Sequence, residues 1–344
     1  MGTMPSPRLT ISQLAAELGL GVATVSNALN GKGRVASATR ERVLAHASER
    51  GFKPNAVARN LRAGGPGALE LHLPHQAKHL SFYMDFAFGL VDVASEAGRD
   101  VVLTTADHPR GAAGTGIDGA VFVDCELASE RFAELDRANV PLVMADGTPE
   151  ESSPSTHVIR ADYKGVMTQM LDAARVAGAQ RPLMIHPDST FNCAWVEELR
   201  LDFIAYGFAG DIPAAALEFP VNAPDASLIE FVSQILKSGT PIGEFIPDMI
   251  LFGAQRWAGV ACAEMGIGHP ESAVPWVASI AGDPASELGS PVIAAHDLHA
   301  RAFGRRCGEA LLDFVDGTAK PDPHSDQIWD TTITWPEHWG SDAE

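Results

Sequence analysis

Cysteine is scarce in this sequence and none of it is paired. Cys125, Cys193, Cys262 and Cys307 stand singly among 344 residues, with no Cys-x-x-Cys spacing. That excludes a clustered zinc site and a disulfide framework, and it suits a reducing compartment. Long apolar runs are missing as well. None reaches the length that spans a bilayer, and the first residues lack the apolar core of a secretion signal, so a soluble cytoplasmic protein is expected. There is no Gly-x-Ser-x-Gly and no His-Glu-x-x-His, and no enzymatic activity is expected. The glycine-rich stretch Gly111 to Gly116 lacks the Lys-Ser/Thr ending of a phosphate-binding loop. His72, His75 and His79 cluster in sequence, but Pro74 breaks any helix that would align them. No cysteine or spaced carboxylate completes a four-ligand set, so neither a metal nor a cofactor is implied.

Basic residues are the other shortage. Net charge is −19, yet it is divided unevenly along the chain. Residues 1–65 hold nine Lys and Arg against Glu17, Glu41 and Glu49, a net of +6, and the remainder carries −25. A basic arm on an acidic body concentrates attraction for a polyanion at one end and repels it elsewhere. The apolar fraction of 46% supports a sizeable core, and the length allows a small N-terminal module plus one large or two medium domains.

What the basic arm does contain is a pair of short amphipathic segments. In Gly21 to Asn30, Val25, Ala28 and Leu29 fall at i, i+3, i+4, and Ala23, Asn27 and Asn30 give a small, polar opposite face. A helix so narrow fits a DNA major groove. Upstream, Ile11, Leu14, Ala15 and Leu18 form a second stripe, started by a Thr10/Gln13 capping box. Only Gly19-Leu20-Gly21 separates the two, the length of a helix-turn-helix corner, although that spacing fits an ordinary helical hairpin equally well. A third helix is expected from about Ser37 to Arg50, with Val43, Leu44 and Ala47 buried, Gly51 ending it and Phe52 sealing the core. Pro54 to Ala63, closed by Gly64-Gly65-Pro66-Gly67, makes a helix too short to be stable alone, or else a plain linker.

Leu9-Thr10-Ile11 through Asn30-Gly31-Lys32, Thr39 to Val43, Gly51-Phe52 and Pro54 to Arg62 together resemble the DNA-binding headpiece of the LacI/GalR repressor family, over residues 8–64. The resemblance implies a headpiece over 1–53, a hinge helix and linker over 54–65, and an effector-binding and dimerisation domain over 66–344. It implies base reading by Val22, Ala23 and Asn27. Of these only Asn27 carries hydrogen-bonding groups, and its amide matches adenine bidentately. Thr10, Thr24, Ser26, Asn30, Arg34 and Asn55 are expected on phosphates, which set register without reading sequence. Ala58, Arg59, Leu61 and Arg62 are expected in the minor groove, with Leu61 as the wedge between base pairs. Members usually carry Ser where Gly21 and Ala36 stand here.

From Ala68 onward, short apolar segments alternate with amphipathic ones. Ala68–Leu73, Asp100–Thr104, Gly119–Val123, Pro141–Ala145, Arg181–His186, Met249–Phe252 and Trp276–Ile280 read as strands. Tyr83–Ala97, Gly165–Ala177, Cys193–Phe208, Ala226–Lys237 and Trp257–Met265 read as helices between them. The alternation predicts parallel sheets with helices on both faces. The expected fold is thus an all-α headpiece followed by an α/β two-lobed, periplasmic-binding-protein-like (type I) domain. Lobe 1 is placed at about 66–160 and 291–320, and lobe 2 at about 161–290 and 321–336. One departure is large: Ala106 to Gly116, broken by Pro109, offers a loop where relatives have a helix.

In such folds ligands bind at the carboxyl ends of the strands. The resemblance places Phe82, Tyr83, Asp146, Phe191, Trp195, Arg200, Gln255, Trp257 and Asp283 around an effector. Each aromatic reads more readily as core than as ligand contact, and Arg200 has Glu197 and Glu198 in reach on its own helix. Gln255 stands where relatives usually have Asp. The expectation is a homodimeric transcription regulator, most often a repressor, on a near-palindromic operator, with a sugar or nucleoside-like effector. The alternatives are a DNA-binding regulator whose cleft binds nothing and, more remotely, a solute-binding protein.

Overall fold

The computed structural model describes residues 11–29, 35–50, 67–105, 116–124, 129–146, 155–191, 193–242, 245–322 and 327–339. The chain divides into two units, Met1–Gly67 and Ala68–Glu344. In the first, three helices, α1 (Ile11–Leu18), α2 (Val22–Leu29) and α3 (Ser37–Glu49), enclose a small core of Leu14, Ala15, Val25, Ala28, Val43 and Ala47. Leu44 is not part of it. Val43 and Ala47, four residues apart, fill the one row the core admits, and Leu44, turned a further 100° round α3, is 47% exposed.

In the second unit, β1 (Ala68–Leu73), β2 (Val101–Thr105), β3 (Ile117–Val123), β4 (Leu142–Ala145) and β5 (Thr156–Ala161) form one sheet with β11 (Gln327–Trp329), in the order β11-β5-β4-β3-β1-β2. β6 (Pro182–Pro187), β7 (Ala215–Phe219), β8 (Met249–Phe252), β9 (Trp276–Ser279) and β10 (Ile293–Asp297) form the other with β12 (Thr332–Thr334), in the order β12-β10-β9-β8-β6-β7. Among the described residues all strand pairings are parallel except β10 with β12. Helices α4 (Ser81–Glu96) and α5 (Glu130–Arg137) belong to the first half. α6 (Tyr163–Val176), α7 (Ala194–Gly210), α8 (Asp225–Ser238) and α9 (Trp257–Met265) follow in the second, and α10 (Ala300–Val315) returns to pack on α4.

The two-lobed architecture is as expected, but two crossings move. β10 pairs with β9, so the chain leaves the second sheet after Asp297 and not near residue 290. β11 pairs with β5, so it returns between Trp329 and Thr332 and not near residue 321. Both shifts have one cause: Val292 to Ala295 and Gln327 to Trp329 are too short and too mixed to announce themselves as strands, and only their neighbours make them so. β5, β7, α5 and α10 are likewise additions to the segments legible in the sequence.

Face assignment in the first sheet follows from alternation along β1. Leu69, Leu71 and Leu73 point to the main core under α4 and α10, and Glu70 and His72 point to the opposite face. There Glu70, fully buried, is gripped by Arg131 from α5 at 3.0 and 3.1 Å through Nε and by a further bond through Nη2, and it accepts the Thr104 hydroxyl at 2.8 Å. A buried carboxylate is tolerated only when paired in this way. α4 and α10 approach so closely that each contributes a glycine at the contact. A Cβ on Gly89 would sit 2.0 Å from the Arg301 carbonyl oxygen, and one on Gly304 would sit 2.0 Å from that of Phe86. Residues 106–115, where a loop was expected to replace a helix, lie outside the described residues.

Candidate functional site

Two sites are built from these elements, one in each unit. In the headpiece the corner is made by two glycines with different tasks. Gly19 has φ +65°, and the Leu20 N–H to Ala15 carbonyl (3.0 Å) and Gly19 N–H to Ala16 carbonyl (3.2 Å) bonds close α1 around it. The Gly21 carbonyl then accepts the Thr24 and Val25 N–H groups and opens α2. Arg42 from α3 donates to the Leu18 carbonyl at 2.9 Å, capping α1, and Glu17 accepts from His46 (2.9 Å) and Arg50 (2.8 Å). Arg50 first and His46 second hold Glu17 below the usual carboxylate range. These bonds fix α2, whose Val25 and Ala28 are buried while Val22, Ala23 and Asn27 are exposed on one face, with Thr24 half-buried. Thr10, Asn30, Arg34 and Asn55, the hinge residues Ala58, Arg59, Leu61 and Arg62, and the Ser26 side chain lie outside what the structure describes.

The second site lies where strand order reverses. β1 is flanked by β2 and β3, and β6 by β7 and β8, so each sheet has its switch point at the carboxyl ends of these strands. Asp124 follows β3 and Asp146 follows β4, both in the left-handed region (φ 50° and 56°), which Asp tolerates better than most residues. Their backbone N–H groups extend the sheet by one bond each, to the Ala145 and Ile159 carbonyls at 3.0 Å. The side chains project into the space between lobes. The Tyr83 hydroxyl donates to Asp124 Oδ2 at 2.7 Å. The Tyr163 hydroxyl donates to Asp146 Oδ2 at 3.0 Å, and Asp146 Oδ1 accepts the Ala161 N–H at 2.7 Å. Tyr163 stacks on Trp195 (4.8 Å, 15°) and meets His296 edge-on (5.8 Å).

Burial holds Asp124 well above the usual carboxylate range and the Asp146 charge adds to this, while the Tyr83 hydroxyl and Trp195 indole act the other way. Burial lifts Asp146 to about 6 against its bonds from Ala161 and Tyr163 and the charge of Arg160. Burial also pushes His296 down to about 4, so the ring is neutral at pH 7.

From the other lobe, Gln255 Oε1 accepts the Phe82 N–H (2.8 Å) and the Ser81 hydroxyl (3.2 Å), and Asp283 Oδ2 accepts the same hydroxyl (3.2 Å). The first turn of α4 is therefore capped across the cleft. Glu287, wholly buried, anchors both capping segments: it accepts the Ala258, Gly259 and Asp283 N–H groups and the Ser279 hydroxyl. Burial lifts its carboxyl to about 7 against those bonds. Two cavities lie among these residues, the first at the bridge and the second beside Asp146. One of about 310 Å³ is bordered by Phe82, Gln255 and Leu298, and one of about 330 Å³ by Asp146, Tyr163 and Trp195.

The description "Bacterial regulatory proteins, lacI family" matches residues 10–55, the span that holds all three headpiece helices. Catabolite control protein A of Priestia megaterium is 29% identical over 164 residues, which are 45% of this chain and 48% of that protein. Over residues 10–55 the chain matches a LacI-family headpiece. The stretch matched to the curated relatives spans about half their length. Among solved structures of the family fold, the lac repressor dimer bound to operator and the anti-inducer ONPF superposes with a TM-score of 0.66 at 18% identity, covering 96% of this chain and 99% of that one. A CelR–cellobiose complex gives 0.59 at 20% identity, covering 96% and 100%.

For a LacI/GalR-type cleft the expected residues separate into three groups. Phe82, Tyr83, Asp146, Trp195, Gln255 and Asp283 are brought together between the lobes. Phe191 backs Trp195 edge-on at 6.3 Å, and Trp257 packs edge-on against Phe219 at 5.4 Å, within the core. Arg200 bonds Glu197 at 2.7 and 2.6 Å on its own helix. Asp124, Tyr163, His296, Ser81 and Glu287 belong to the site without having been singled out from sequence. For Asp124 the signal was present: Phe122-Val123-Asp124 repeats the pattern of Met144-Ala145-Asp146, an apolar strand closing on aspartate.

Proposed function

We propose that this chain is a cytoplasmic, sequence-specific DNA-binding transcription repressor that meets a near-palindromic operator as a homodimer and responds to a small effector in the inter-lobe cleft. The observation that carries the reading is α2, held by a three-helix core and exposing Val22, Ala23 and Asn27 on one face. Asn27 is the base reader, Val22 and Ala23 favour a thymine methyl or exclude bulk, and Thr24 contacts phosphate. Enzymatic activity forms no part of the reading. The test is selection of binding sites from random DNA. Asn27→Ala is expected to cost about 1–3 kcal/mol on the operator and to relax preference at one base pair per half-site, whereas Thr24→Ala weakens all sequences alike. An unchanged consensus with Asn27→Ala refutes the assignment.

The dimer reading is supported by α4, which exposes Met84, Phe88 and Val91 at i, i+4, i+7, and by Leu103 on β2, the edge strand of the sheet. A polar cleft at the switch points supports an effector, and the similar CelR structure holds cellobiose. A sugar or nucleoside-like molecule fits either cavity by size. The bonds that already bridge the lobes, Ser81 and Phe82 to Gln255 and Asp283, favour a second reading, a regulator whose cleft stays closed on itself. Absence of any thermal shift with sugars, nucleosides and small acids selects that second reading.

A further inference from the structure

The inter-lobe cluster leaves two buried acceptor atoms without hydrogen-bond partners among the described residues. Asp124 Oδ1 finds no hydrogen-bond partner among the described residues, although the residue is only 6% exposed. His296 Nδ1 lies 2.9 Å from the Ile280 carbonyl, which places the ring proton on Nδ1 and leaves Nε2 a lone-pair acceptor. That atom too is buried and has no hydrogen bond. Both residues belong to the group around Tyr163, which touches His296 and Trp195 through its ring and Asp146 through its hydroxyl.

Charge there is one-sided. Asp124 and Asp146 are buried, and the arginine expected to serve the cleft is bonded to Glu197. The 330 Å³ cavity adds Asp162, Glu198 and Asp202 to Asp146, against Arg160 and Lys164, and Lys164 is already held by Asp202 at 2.7 Å. Around Asp124 stand Tyr83 from α4, Tyr163 from α6, and Cys193 and Trp195 at the start of α7. The indole N–H makes no full hydrogen bond but favours the ionised form of Asp124. Buried acids beside aromatic faces suit an organic cation better than an anion.

We propose that the cleft selects a ligand bearing an ammonium group, which pairs with Asp124 against the faces of Tyr163 and Trp195, while His296 Nε2 accepts a further donor of the ligand. This rests on the reading that the cleft binds an effector. Burial favours protonated Asp124. Binding breaks its carboxyl O–H bond, the proton leaves to solvent, and N–H···O contacts to the ammonium form in its place. The buried site stays neutral throughout.

Titration calorimetry of the full chain at pH 6.5 with glucosamine, glucose and glucose 6-phosphate, which share one ring and differ in charge, tests this. Glucosamine is expected to bind at least about tenfold more tightly than glucose, with glucose 6-phosphate weakest. Heats in buffers of different ionisation enthalpy should show proton release on glucosamine binding to the unsubstituted chain. Asp124→Asn should lower glucosamine affinity at least about tenfold and abolish that release, with the fold checked by circular dichroism. Tighter binding of glucose or glucose 6-phosphate, or glucosamine binding without proton release, overturns the ligand class and leaves the effector cleft standing. Binding of none of the three overturns the ligand class, and the effector cleft falls with it when sugars, nucleosides and small acids give no thermal shift either.

Discussion

Gly304→Ala should separate packing from propensity at the contact between α4 and α10. In a helix interior the exchange alone gains about 1 kcal/mol. Here the new Cβ would lie 2.0 Å from the Phe86 carbonyl oxygen and 2.8 Å from its carbon. Carbon–oxygen contacts begin near about 3.3 Å, so the helices must part by about 1.3 Å, and backbone on both sides leaves no side chain to swing away. A gap of that size forfeits about half the dispersion between facing atoms, and Phe86 against Phe303 (5.4 Å) stands beside it. Overpacking of this kind costs about 3 kcal/mol or more, so the net loss should be about 2–3 kcal/mol. For a domain of this size that is a fall of about 5–10 °C in Tm, read by calorimetry. Gly210→Ala is the control, since its Cβ would meet nothing nearer than 3.6 Å, and it should be neutral or slightly stabilising. If both variants melt together with the wild type, the account of this contact is wrong.

Three further outcomes are expected. Asp146 ionises at about 6 in the fold against an ordinary value of 3.8, so its contribution is fullest at low pH and is lost as pH rises through that window. Asp146→Asn should therefore gain in Tm relative to wild type between pH 4 and pH 7, and a difference that stays flat contradicts the assignment. Gln255→Ala leaves the Phe82 N–H without its acceptor, which should cost about 1–3 kcal/mol and raise the radius of gyration in small-angle scattering as the lobes part; an unchanged radius argues against the bridge. Operator affinity should fall with salt with a log–log slope of several units, and near salt-independence would show that the +6 arm is not what meets the phosphates.

The described headpiece helices were legible to within a residue, because α1 and α2 follow from local stripes and from glycines with one conformational task each, while Gly51, Phe52 and the hinge lie outside the described residues. Met249–Phe252 and Trp257–Met265 were legible from their dense apolar runs. The crossings were not. Ile293–Asp297 and Gln327–Trp329 owe their strand state to β9 and β5, partners far off in sequence. The cleft was half legible. Asp146 could be carried over from a pattern, but Asp124, at an identical strand end, gained meaning only when Tyr83 was seen bonded to it. Arg200 shows the opposite limit, since its pairing within one turn of helix was among the options its own sequence offered.

Helix α4 meets the other lobe at its first turn, through Gln255 and Asp283, and shows Met84, Phe88 and Val91 along its outer side. Sixteen residues make a rod about 24 Å long. A tilt of about 5° at the bonded end displaces the far end by about 2 Å. Whatever loosens Ser81 and Phe82 thus works on a rigid rod that carries the apolar stripe with it. No relay of side chains is needed between the two.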